Sequence, residues 1–85
     1  MSARTFVDTN VLLYADDDAA PAKQRLAEDL IEQLRESQSG YLSMQVLREY
    51  SATAIRKLNV PAKFARLKVE TYMRWNVITL QPSIS

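Results

Sequence analysis

The sequence has no cysteine, no histidine and a single glycine. Without cysteine there are no disulfides and no thiolate metal sites. Without histidine there is no imidazole base and no zinc site built on imidazoles. Any catalysis must run on carboxylates, hydroxyls, lysine, arginine or a hard metal ion. One glycine and three prolines leave little room for long loops or low-complexity linkers, and no internal repeat is visible. Long apolar runs are missing too: none approaches the roughly 18 residues that a membrane-spanning helix needs. The opening MSARTFVDTN carries no apolar stretch before its first acid, which argues against a signal peptide. A cytoplasmic location is therefore expected.

What remains is the composition of a soluble globular chain, 47% hydrophobic and 25% charged over 85 residues. That length makes one small domain, burying roughly 60–65% of its surface. The net charge of +1 hides an asymmetry. Residues 1–43 hold four basic and eight acidic side chains, and residues 44–85 hold seven basic and two acidic. Such a division marks either a side that faces a polyanion or simply solvated helix faces.

Hydrophobic periodicity orders the chain. Arg4–Val7 reads as a short strand ending at Asp8, and Val11–Tyr14 as one helical turn capped by Asp8 or Thr9. Asp16, Asp17 and Asp18 read as solvated loop charges ahead of a helix that Pro21 opens. Ala27, Leu30, Ile31 and Leu34 then form one face of a helix running to Ser37, with Gly40 suited to the left-handed position after it. Tyr41-Leu42 is a very short strand, and Ser43 caps a second long helix to Leu58, its stripe formed by Val46, Leu47, Tyr50, Ala54 and Leu58. Pro61 opens a third long helix to Arg74, lined by Phe64, Leu67, Thr71, Tyr72 and Trp75. Asn76–Leu80 is a β-branched strand, followed by a turn and a helix start over Gln81–Ser85. Strands separated by helices imply a parallel sheet with right-handed crossovers.

In such sheets ligands bind beyond the carboxyl ends of the strands. Asp8 stands at the end of the first strand. Ser43 and the start of the next helix stand at the end of the second. Glu49, beside the apolar positions Val46 and Tyr50, points toward the same mouth. Two carboxylates brought together repel unless a cation joins them, and Mg2+ or Mn2+ suits an all-oxygen donor set. Thr9 and Asn10 offer a hydroxyl and an amide to orient Asp8, a water or a phosphate. The plainer alternatives are that Asp8 is only a helix cap and that Glu49 is a solvated acid paired with Arg56 or Lys57. Arg48, Arg56, Lys57, Lys63, Arg66, Lys68 and Arg74 are candidate phosphate contacts or exposed charges. Phe64, Tyr72 and Trp75 suit a core or dimer interface better than a base-stacking platform.

FVDTNVLLY followed by LSMQVLREY resembles the first two motifs of the PIN-domain family, in particular the VapC-type toxins of bacterial toxin–antitoxin pairs. Asp8 and Glu49 lie 41 residues apart with the family's elements between them, and WNVITLQPS matches the style of its third strand. The resemblance implies an α/β, three-layer, Rossmann-like fold, a short parallel sheet with helices on both faces. It implies a divalent-metal-dependent endoribonuclease cleaving RNA phosphodiesters, with Asp8 and Glu49 as catalytic metal ligands and Thr9 and Asn10 supporting them. The implied partners are RNA, an antitoxin protein and a second copy of the chain.

The family also carries a third and a fourth acid on a later helix and strand. Those segments would begin near Pro82, so residues 1–85 are expected to represent a partial PIN domain, truncated after the third strand and impaired in turnover. The alternative is a catalytically inactive fragment acting as a self-associating or antitoxin-binding module. In either case the first strand, central in the family's sheet, should present an exposed edge.

Overall fold

Pro21 at the first helical position and a run of strong helix formers behind it produce the longest element of the molecule, and apolar spacing sets the rest. The computed structural model describes residues 4–78. Their order is β1 (Thr5–Phe6), α1 (Thr9–Ala15), α2 (Pro21–Ser37), β2 (Gly40–Ser43), α3 (Met44–Lys57), α4 (Ala62–Tyr72) and β3 (Asn76–Ile78). The strands form a parallel sheet in the order β1-β2-β3, with Phe6 opposite Tyr41 and Leu42 opposite Val77. The α/β class and the parallel sheet follow the expectation. The Val11 turn is a seven-residue helix, and the end of the expected third strand and the Gln81–Ser85 segment lie outside the described residues.

Helices were expected on both faces of the sheet. Among the described residues they cover one. Val7 and Leu42 pack with Leu12 of α1, Leu34 of α2, Leu47, Tyr50 and Ala54 of α3, and Tyr72 of α4, and Val77 joins this cluster from β3. The reason is topological. Both crossovers step in the same direction across the sheet, and right-handed crossovers that keep direction lay their helices on the same side. Residues of the opposite parity face outward: Phe6 is 64% exposed, with its ring 5.7 Å from that of Tyr41. The thinnest dimension of the Cα trace is 17 Å, which fits one sheet layer and one helix layer. Tyr50, Leu12, Leu42 and Leu47 are wholly buried. Each contributes about 1.5–3 kcal/mol through apolar burial.

Two local expectations are corrected. The left-handed residue after α2 is Gln38 (φ 55°), not Gly40. Gly40 lies in β2, and a Cβ there would fall 2.5 Å from Cζ3 of Trp75 and 3.1 Å from Cβ of Leu34. The glycine is needed for close approach of the indole, not for backbone freedom. On α4 the inward face is Ala65, Val69 and Tyr72, while Phe64 (58%) and Leu67 (47%) are exposed. Small Ala65 lets α4 approach α3, and a stripe read from large residues alone missed that.

No strand among the described residues pairs with the edge of β1 away from β2. Thr5 N–H donates to Ser39 O and Val7 N–H to Tyr41 O, both at 2.9 Å. Alternate residues of β1 therefore face β2, and the N–H and C=O of Phe6 face an edge that no described strand covers. No helix among the described residues is long and apolar enough to cross a membrane.

Candidate active site

Asp8 leaves β1 in extended conformation (φ −78°, ψ 151°) and occupies the N-cap position of α1. Its backbone carbonyl accepts from Val11 N–H at 3.1 Å, but its carboxylate makes no capping bond. The backbone thus does the work of a cap, and the side chain is left exposed to the cleft. Thr9 and Asn10 follow in the first turn of α1.

Ser43 closes β2 and caps α3, its hydroxyl accepting from Val46 N–H at 3.1 Å. The cap fixes the start of α3, and Glu49 then falls on its second turn. There Glu49 Oε2 accepts from Thr9 Oγ1 at 3.2 Å, and Oε1 accepts from Gln45 Nε2 at 3.3 Å. Among the described residues Glu49 makes no ion pair, so the alternative of pairing with Arg56 or Lys57 is not what holds it. Two neutral donors fix its orientation and leave its charge uncompensated.

All four expected residues line one cleft of about 670 Å3: Asp8, Thr9 and Asn10 from the β1–α1 corner, and Glu49 from α3. Arg56 and Lys57 line it too, as does Asp17. Both cations stand among the candidate phosphate contacts of the sequence, and Arg56, seven residues after Glu49, shares its helix face. Asp17 reaches the cleft from a loop and left no periodic signal. Carboxylates and cations lining one cleft suit a phosphate held by a hard cation and a guanidinium. Among the described residues no three acids, histidines or cysteines gather as a ready metal cage.

The neighbouring aspartates are structural. Asp17 Oδ1 accepts from Ala19 N–H at 3.0 Å, and Asp18 Oδ1 accepts from Gln24 Nε2 at 2.9 Å. Asp16, expected among solvated charges, is only 11% exposed at its side chain. It accepts the Tyr50 hydroxyl and pairs with Lys68 Nζ at 3.2 Å, tying α1 to α3 and α4. Burial, and next the hydrogen bond to Asp16, push the Tyr50 phenol well above its ordinary pKa. Burial and the charge of Asp16 do the same to Tyr72.

No protein-family model matches the chain, and neither does any curated protein sequence.

Proposed function

We propose that the chain acts on RNA as a divalent-metal-dependent phosphodiesterase of the PIN-domain type. The observation that carries this reading is the hydrogen bond from Thr9 to Glu49. It joins the DTN motif to the acid of the second motif, across 40 residues, at the carboxyl end of the sheet. The donor set is all oxygen and amide, which suits Mg2+ or Mn2+, since such ions retain several waters and accept few protein ligands. Asp8 and Glu49 are the ligands in this reading. When bound, the ion supplies Lewis acidity, lowering the pKa of water and offsetting phosphate charge.

The chain's own residues have separate tasks. Asp8 presents a carboxylate free of capping duty. Thr9 and Gln45 hold Glu49 in one orientation. Arg56 and Lys57 attract the phosphate backbone and orient it along the cleft. The test is cleavage of a labelled RNA with Mg2+ or Mn2+, comparing wild type with Asp8→Asn and Glu49→Gln. Activity that disappears in both variants and on chelation supports the reading. Equal activity in all three proteins points to a contaminant and ends it.

A second reading is favoured by the edge of β1 that no described strand covers. The outward main-chain groups of Phe6 and its exposed ring suit strand pairing with another chain. In that case the chain is a catalytically inactive module that self-associates or binds an antitoxin. Light scattering with and without a candidate antitoxin decides it; a monomer at micromolar concentration that ignores the antitoxin refutes it.

A further inference from the structure

A second hollow, also of about 670 Å3, opens at the amino ends of β2 and β3, the end of the sheet away from Asp8 and Glu49. Its aromatic wall is Trp75; Tyr41 borders the hollow from β2, but its ring lies with Phe6 on the opposite face of the sheet. Trp75 lies across Gly40, where the missing Cβ gives it room, and its position is fixed edge-to-face on Tyr72 at 5.7 Å between centroids. Arg74, exposed, and Arg35 line the same hollow. Arg35 is paired with Glu32 on α2, whereas Arg74 makes no ion pair among the described residues. Two amides complete the lining. Asn76 Nδ2 donates to the Gln38 carbonyl at 3.2 Å.

The geometry points to a binding site for single-stranded nucleic acid, with RNA as its ligand. A purely apolar hollow would suit a protein helix, and a purely basic one any polyanion. Here an indole, guanidinium groups and amides converge, and no acid among the described residues lines the hollow. Unpaired bases stack on aromatic and guanidinium planes, phosphates take the charge, and amides meet base edges. A duplex keeps its base faces covered and lacks that contact. This site stands apart from the Asp8–Glu49 cleft and does not require that the cleft cleave anything.

Trp75 is the only tryptophan of the chain, so its emission reports on this hollow alone. The full chain is titrated with a twelve-nucleotide oligouridylate in EDTA, following Trp75 emission and the anisotropy of a labelled copy. The expected result is quenching that tracks binding, with Arg25→Ala, an exposed cation on α2 that lines neither cavity, unchanged. Arg74→Ala and Thr71→Glu, two exposed positions on the hollow, should each weaken binding about fivefold, and Arg74→Ala should lower the salt slope by about one. The proposal is overturned by binding without quenching, by affinity that neither variant alters, or by equal affinity for duplex RNA. It is also overturned if polyglutamate competes as well as RNA. A Trp75 signal that follows protein concentration alone, with no oligonucleotide binding, overturns it in favour of an interface between copies.

Discussion

Tyr50, on α3, donates its phenolic hydrogen to Asp16, which ends α1, and the pair is buried between those helices and α4. Removing the donor leaves the ion pair with Lys68 as the one remaining polar side-chain bond to the Asp16 carboxylate among the described residues. Tyr50→Phe should therefore cost about 1–2 kcal/mol of stability, measured by urea denaturation. An unchanged midpoint would show that the bond contributes nothing net.

The same residues predict alkaline sensitivity. Tyr50 and Tyr72 both ionise at higher pH in the folded chain than in the unfolded one. Their neutral forms therefore stabilise the fold fully below about pH 10, the ordinary phenol value, and that contribution is lost as pH rises past it. Thermal scans should show Tm falling above that pH. Tyr72→Phe should fall less steeply, and parallel curves for the two proteins would contradict the assignment.

Gly40→Ala places a methyl group against the Trp75 ring, where 2.5 Å separates a Cβ from Cζ3. Overpacking of this kind costs about 1–3 kcal/mol. The expected observation is a lower Tm together with a red-shifted Trp75 emission, because the ring must move out toward water.

On α4, Phe64→Ser should lie within about 0.5 kcal/mol of wild type, since the ring is exposed. Ala65→Leu, one position on, should destabilise by more than about 1 kcal/mol, because Ala65 is fully buried. Reversal of that order would return the inward face of the helix to the large residues.

Thr9→Val removes one of the two donors that orient Glu49. If the cleft holds a divalent ion, Mn2+ affinity measured by paramagnetic resonance should fall about tenfold, the usual effect of losing an orienting partner. Equal affinity in the variant would remove Glu49 from the ligand set.

Much of the layout was legible because periodicity and punctuation agreed. Pro21, Ser43 and the β-branched Val77 region placed α2, α3 and β3 to within a few residues. Asp8 and Glu49 were brought to one cleft, as the parallel-sheet argument required. The misses have distinct causes. Gly40 was assigned a backbone role because its packing partner, Trp75, lies 35 residues away in sequence. The inward face of α4 was hidden by the small size of Ala65. Asp16 reads as a loop charge because its partners, Tyr50 and Lys68, are far along the chain. Helices were placed on both sides of the sheet, although the strand order over the described residues steps in one direction only.

The Thr9–Glu49 bond joins two helices that are distant in sequence and meet only once β1 has paired with β2. The cleft is thus a property of the folded state and has no counterpart in the denatured chain. Binding and folding are then linked by mass action: a divalent cation held by Asp8 and Glu49 would raise the free energy of unfolding by about 2.7 kcal/mol at one hundred times its dissociation constant. Heat denaturation therefore becomes a binding assay, and occupancy of the cleft can be surveyed across cations and oligonucleotides before any substrate is known.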